Sequence, residues 1–273
     1  MFAQTSKEIS MNLIDDAEKW AWRYAKWPGN DDLKGYPFVE NTTAPFQPLR
    51  RALPMLNLAL ISSAGAYIDG ARSFDTSAAD GDMSFREIPI EVEASDLRFS
   101  ARGYDPAAVL QDANCQAPVE RLLQYEANGV IGKLNPIWFS FCGHIPNAAK
   151  QAEEMAPKLA ERLVRYDVQA ALLIPASRLC HQSMGLTARA VEQAGIPTIM
   201  LAVDRAVAEN VRAPRIAYYN GDLGCVAGKP NWKQHQFRIL DESLRWIESF
   251  DQPTSRRLVV ELETKVEQDR GEK

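Results

Sequence analysis

Thiols and imidazoles are scarce in this chain: four cysteines and three histidines among 273 residues. The cysteines are irregularly spaced, with no C-x-x-C pair, which argues against a secreted disulfide framework and for a reducing compartment. A cytoplasmic location is therefore expected. Long apolar runs are missing too. The longest, around Leu53 to Ile61, is too short to span a bilayer, and the segment Met-Phe-Ala-Gln-Thr-Ser-Lys-Glu lacks the basic and apolar regions of a signal peptide. A formal charge of −5 offers no electrostatic footprint for nucleic acid. No G-x-G-x-x-G follows the first strand-like run, and there is neither a G-x-x-x-x-G-K-[ST] loop nor a G-x-S-x-G elbow. Gly221, Gly224 and Gly228 precede Lys229-Pro230 out of frame for phosphate binding and read as turn residues. What remains is a chain that meets small molecules or other proteins, not a membrane.

Several segments carry regular patterns. Leu13, Ala17, Trp20, Tyr24 and Trp27 recur at helical steps, so residues 8–27 read as an amphipathic helix stopped by Pro28-Gly29. Its aromatic stripe either docks on the protein's own core or forms a subunit contact, where aromatics are enriched. A turn-rich stretch, 28–48, connects this arm to the body. Residues 56–63 form a buried strand feeding a tight loop at Gly65. Residues 66–117 are irregular and look like a loop-rich cap, with short strands at 85–90 and 97–100. From Pro118 the rhythm is helix 118–128, strand 136–141, helix 146–166, strand 168–174, helix 182–194, strand 197–203, strand 214–219 and helix 232–248. This alternation implies an α/β fold: a mainly parallel sheet flanked by helices, with an N-terminal helical arm and a loop-rich cap. The expected organisation is an arm and linker (1–54), an α/β domain (55–250) with its insertion at 66–117, and a charged C-terminal helix (251–273).

Three cysteines follow strand-like runs. Cys142 lies after Trp138-Phe-Ser-Phe, Cys180 after Ala170-Ala-Leu-Leu-Ile-Pro175, and Cys225 after Arg215-Ile-Ala-Tyr-Tyr219. In a parallel sheet all three thiols share the rim where open α/β sheets bind ligands. Any of them can be an inert, buried small hydrophobe. Cys180 carries more chemistry, because a thiol near a helix N-terminus has its thiolate stabilised, and the adjacent His181 can serve as proton donor or electrostatic partner. A zinc site of Cys142, His144, Cys180 and Cys225 is disfavoured, because the spacing matches no known zinc pattern.

Several blocks between residues 55 and 250 resemble the selenoprotein B family, the substrate-processing component of the glycine, sarcosine, betaine and D-proline reductases. They are Gly81-Asp-Met-Ser-Phe-Arg86-Glu-Ile-Pro89, Tyr104-Asp105, Gln111-Asp112-Ala-Asn114 with Pro118, Gly129-x-Ile131-Gly132, Trp138-Phe-Ser-Phe-Cys-Gly143, and Pro214-Arg215 with Leu223-Gly224 and Gly228-Lys229-Pro230. The family's redox loop reads P-x-U-P-x-C-H-Q, where U is selenocysteine or cysteine. Here the run is Pro175-Ala-Ser177-Arg-Leu-Cys180-His181-Gln182. Serine stands at the chalcogen position, and the histidine of the family's H-x-x-Y-D block is missing from 100–102. The resemblance implies reductive carbon–nitrogen cleavage on a small substrate, with a pyruvoyl group on a partner subunit activating the amine in several members.

A serine hydroxyl cannot form a disulfide, so Ser177 and Cys180 cannot cycle as a dithiol. Two readings follow. In one, Cys180 is the working thiol, Cys142 or Cys225 resolves it, and Arg86, Asp112, Asn114, His144 and Gly65 surround an amino-acid-like substrate, Arg86 clamping a carboxylate unless it pairs with Asp80 or Asp82. In the other, redox chemistry is lost and Cys180-His181 runs nucleophilic or proton-transfer catalysis, or the chain is a non-catalytic subunit. No cofactor is assigned with certainty; the resemblance implies a pyruvoyl group on a partner subunit. Partners would be a further subunit or an electron-donor protein, and a homo-oligomer is expected.

Overall fold

The structure, a computed structural model, describes residues 12–260. In chain order its elements are α1 (Ala17–Tyr24), β1 (Asn57–Ser62), β2 (Ala66–Ile68), β3 (Arg86–Pro89), β4 (Leu97–Phe99), α2 (Ala107–Gln111), α3 (Val119–Ala127), β5 (Lys133–Leu134), β6 (Ile137–Ser140), α4 (Ala148–Lys150), α5 (Ala156–Arg165), β7 (Ala170–Ile174), α6 (Arg178–Gln193), β8 (Thr198–Ala202), α7 (Arg205–Asn210), β9 (Arg215–Tyr218), α8 (Lys233–Ser249) and β10 (Thr254–Arg257). The main sheet runs β10-β9-β8-β7-β1-β6-β3, with β5 pairing the start of β1. All its pairings are parallel except β3 with β6. The fold is α/β, as the alternating pattern implies.

The central strands are short apolar runs because both of their faces are covered. Alternate residues sort cleanly: Ala59, Ile61, Ala171, Leu173, Met200 and Ala202 enter one core, while Leu58, Leu60, Leu172, Ile174, Ile199 and Leu201 enter the other. The first core is closed by α5 and α6 through Leu159, Leu163, Leu186 and Val191, the second by α3 and α8 through Leu122, Ile239, Leu244 and Ile247. Burying each such leucine or isoleucine stabilises by about 1.5–3 kcal/mol before chain entropy is charged.

Several boundaries depart from expectation. The helix expected at 182–194 starts four residues earlier, at Arg178, because Ser177 caps it: its hydroxyl oxygen accepts from the Cys180 amide at 3.2 Å. The helix expected over 146–166 is interrupted by a π turn at Gln151–Met155, just before Pro157, which has no amide proton for the α pattern. A short helix, α7, separates the strands expected at 197–203 and 214–219. The charged helix expected over 251–273 is corrected at its start: Thr254–Arg257 is an edge strand beside β9, and 261–273 lie outside the described residues.

The arm is shorter than its periodicity suggests, and residues 1–11 lie outside the described set. Its stripe packs inward on the linker. The Trp20 indole donates to Pro37 O at 2.6 Å, and Tyr24, Trp27, Tyr36 and Phe38 meet ring to ring. Trp22, on the other face, is exposed beneath the Lys26 ammonium. The cap consists of the β2–β4 ribbon and the loops around it.

Candidate active site

From β1 the chain crosses to β6 on one side, then returns over β1 to β7 and proceeds to β8 on the other. Adjacent strands β1 and β7 thus send their connections in opposite directions, and the crevice beyond their carboxyl ends is where such sheets bind ligands. The loops leaving the strands are stitched together there. Ser63 N donates to Ile174 O at 3.1 Å, Ala176 N to the Ser63 hydroxyl oxygen at 3.0 Å, and Gly143 N to Ser63 O at 3.1 Å.

Cys180 lies in the first turn of α6, directly in this crevice, and is 1% exposed. Ser177 Oγ donates to its sulfur at 3.0 Å, and the thiol faces Ser63 O at 3.8 Å. Ala64 and Ala176 pack against it, with Phe99 and Tyr104 over them. Gly143 is glycine for a steric reason: a Cβ there would stand 2.5 Å from Ser63 Cβ and 2.9 Å from Cys180 Sγ. Cys142 is the neighbouring sulfur, its Sγ 3.5 Å from Ser100 O. Burial first, and then a charge on Cys180, push the Cys142 thiol up to about 12. Tyr104, whose hydroxyl donates to Ala64 O at 2.7 Å, is likewise raised, by burial and then by Cys180 and Cys142.

The rim is divided. Cys225 follows β9, but its electrostatic neighbours are Asp222, Lys229 and Cys115, not the crevice thiols. Cys115, given no role by the sequence pattern, is fully buried beside it, and the Cys115 carbonyl accepts from Ala227 N at 2.8 Å. Burial raises both thiols. The four-residue zinc set is therefore not assembled, and among the described residues no three His, Cys, Asp or Glu side chains gather to hold a metal ion.

The two histidines are held differently. His181 is fully buried with both nitrogens occupied: Nδ1 donates to Ser177 O at 2.7 Å, and Nε2 accepts from the Val203 and Asp204 amides at 3.0 and 3.1 Å. It ties α6 to the end of β8, and burial lowers its pKa to about 4. His144 is also buried, at 4% exposure, yet its Nδ1 has no hydrogen-bond partner. Burial, then the Arg102 charge, lowers it to about 4.

The expected substrate ligands are occupied elsewhere. Arg86 holds the carbonyls of Arg72 at 3.1 Å and Ser73 at 3.4 Å and stacks over Phe74 at 4.1 Å; of the competing partners, Asp80 pairs with Lys150, and Asp82 is reached through Ser84, whose hydroxyl accepts from Arg86 at 2.9 Å and donates to the Asp82 carboxylate. The Asp112 carboxylate accepts from Asn114 N and Nδ2, Asn231 N and Gln236 Nε2, joining the cap to the start of α8, and Asn114 Nδ2 also reaches Glu120 at 3.1 Å. Gly65 does border the crevice. With φ at +70°, it bonds Phe141 O through its amide and Ser100 N through its carbonyl.

Sequence patterns gave Ser63 no role and named Tyr104 only within the family-like Tyr104-Asp105 block, yet both border the crevice. The two consecutive serines closing β1, and a Tyr-Asp turn in an otherwise irregular cap, were the available signals.

These features define an α/β protein with a helix-capped thiol at a topological switch point. The chain belongs to the glycine/sarcosine/betaine reductase selenoprotein B family. The family model matches residues 41–176. The D-proline reductase subunit gamma of Acetoanaerobium sticklandii is 32% identical over 216 residues, 79% of this chain and 88% of that protein. The glycine reductase complex component B subunit gamma of Symbiobacterium thermophilum is 28% identical over 194 residues, 70% of this chain and 45% of that subunit. The betaine reductase complex component B subunit beta of Peptoclostridium acidaminophilum is 29% identical over 143 residues, 50% of this chain and 32% of that subunit. The chain thus spans most of the proline reductase subunit but less than half of the other two. No solved structure matches it. Among the described residues no helix is long and apolar enough to cross a membrane.

Proposed function

We propose that this chain is a subunit of a reductase complex acting on a small amino-acid-like substrate, with Cys180 as its nucleophile and Cys142 as the resolving thiol. The carrying observation is the placement of Cys180: at the N-terminus of α6, in the switch-point crevice, bonded by Ser177 Oγ at 3.0 Å, with Cys142 alongside. The serine in the chalcogen position then keeps a different duty, capping the helix and donating to the sulfur.

In the proposed cycle the Cys180 thiolate attacks the substrate carbon, and the carbon–nitrogen bond breaks with its electron pair leaving on nitrogen. Cys142 then attacks the Cys180 sulfur. The carbon–sulfur pair goes to carbon, which takes a proton, and a Cys142–Cys180 disulfide remains. An external dithiol supplies the two electrons that restore the thiols. A pyruvoyl group on a partner subunit would supply activation of the amine; this chain holds the carbon beside its sulfur. Because Cys180 is covered by Phe99 and Tyr104, the substrate enters when segment 99–105 lifts.

The test is turnover by the chain purified with its co-purifying subunits, with dithiothreitol as electron source and D-proline, glycine, sarcosine and betaine as substrates. Consumption of one of these, lost in Cys180→Ser, supports the reading. Turnover that survives the substitution overturns it.

A further inference from the structure

We propose that His144, not the sequence-adjacent His181, is the acid–base partner of Cys180, exchanging protons with it through the Ser177 hydroxyl. The inference rests on Cys180 being the working thiol. Three observations carry it. His144 Nδ1 is a buried polar atom with no partner, whereas both nitrogens of His181 are taken by backbone. The space next to that nitrogen is the space next to Ser177. Gly103, exposed and with φ at +78°, covers it, and a Cβ at Gly103 would lie inside contact distance of His144 Nδ1 and 3.3 Å from Ser177 Cβ. Ser177 in turn bonds the Cys180 sulfur at 3.0 Å, and Gly143, which precedes His144, abuts the same sulfur.

A hydroxyl can accept from the thiol while donating to an imidazole. As segment 99–105 lifts, it removes both the burial and the Arg102 charge that hold His144 near 4 in the closed crevice, and Ser177 Oγ turns toward Nδ1. The thiol proton then passes to oxygen and the hydroxyl proton to the imidazole, leaving a thiolate and an imidazolium. The imidazolium returns its proton to the departing nitrogen, which carries the carbon–nitrogen electron pair, so charge and protons balance. Serine at this position thus gains a role that selenocysteine would not fill. The charged and titratable groups facing the pair are Arg102 and Asp31 around His144, and Cys142 and Tyr104 around Cys180. Arg178 and Asp204, at the start of α6, pair with each other at 3.1 Å.

The test is the rate of iodoacetamide alkylation of Cys180 in the reduced full chain, followed by peptide mass spectrometry across pH. Opening of the cover scales the rate equally at all pH values, whereas proton exchange sets the midpoint. His144→Gln should move the midpoint upward by a pH unit or more and slow alkylation at pH 7 roughly tenfold. Ser177→Ala should shift it in the same direction, and His181→Gln should leave it in place. An unmoved midpoint in His144→Gln, or an equal shift in His181→Gln, overturns the assignment. If His144→Gln does not fold, Gly103→Ala decides: its Cβ displaces the ring, so a shifted midpoint supports the pairing and an unshifted one rejects it. A Cys142–Cys180 disulfide with an unmoved midpoint would reject the histidine alone. A moved midpoint without that disulfide would keep the histidine and reject the resolving thiol.

Discussion

The crevice beyond β1 and β7 and the corner beyond β9 each hold two buried cysteines and polar side chains, yet their internal bonding differs. At the β9 corner the carboxylate of Asp112 is bonded by Asn114, Asn231 and Gln236, joining the cap to α8. In the crevice one sulfur is bonded by a capping hydroxyl, an imidazole nitrogen is left without a partner, and exposed Gly103 lies against it. A buried polar atom without a partner costs about 1–3 kcal/mol, and each region carries one, His144 Nδ1 in the crevice and Asn114 Oδ1 at the corner; they differ in that the first lies beside Ser177, which bonds a sulfur, and the second inside a network that joins the cap to α8. The same residue type at a strand end carries different meaning depending on whether the strand borders the switch point.

Breaking the crevice should have the largest effect. Cys180→Ser should lower turnover by roughly 10⁴-fold or more, as removing a nucleophile does, while Cys225→Ser should stay within about threefold of the parent; steady-state turnover of the purified complex separates them. An equal loss in the two variants would erase the distinction between the corners.

The next effect is on stability against pH. Both His181 and His144 have folded pKa values near 4, against an ordinary 6.5. The unfolded chain therefore binds protons that the folded chain does not between those values. Stability should be full above pH 6.5 and fall as the pH drops toward 4, by on the order of 3 kcal/mol per histidine. Urea unfolding at pH 7 and pH 5 measures this. His181→Gln should flatten the dependence; an unchanged slope in that variant would contradict its buried, neutral state.

Smaller again, Gly143→Ala should cost about 1–3 kcal/mol through contact with Ser63 and Cys180. Its thermal midpoint should fall while β9-corner substitutions leave Cys180 alkylation unchanged. The smallest effect is expected for Arg86→Ala, which removes the hold on Arg72 and Ser73 and the stack on Phe74. A loss of about 1–2 kcal/mol with an unaltered KM fits a structural arginine. A large rise in KM would return Arg86 to the substrate.

Much of the architecture was legible because strands such as Ala170–Ile174 and Thr198–Ala202 are buried on both faces and read as unbroken apolar runs. The start of α6 was misplaced because Ser177, taken only as a replaced chalcogen, is also its N-cap. Helix α7 is six residues long and too short for a periodic signal, and β10 is a polar edge strand, Thr-Ser-Arg-Arg, indistinguishable from a charged helix by composition. The meeting of Cys180 and Cys142 at one crevice was legible from their positions after strands. The partnership of Cys225 was not, because strand order decides which loop ends meet. Adjacency misled for His181: consecutive helical residues point about 100° apart, so a neighbour in sequence faces another element.

The most direct measurement of the central claim, a functional Cys180 with Cys142 as its second sulfur, is a non-reducing peptide map of the folded chain titrated with hydrogen peroxide and then alkylated. A Cys142–Cys180 disulfide forming first, with Cys115 and Cys225 still recovered as alkylated thiols after unfolding, is the result predicted. Recovery of Cys142 and Cys180 as free thiols while Cys115 and Cys225 become linked would contradict it.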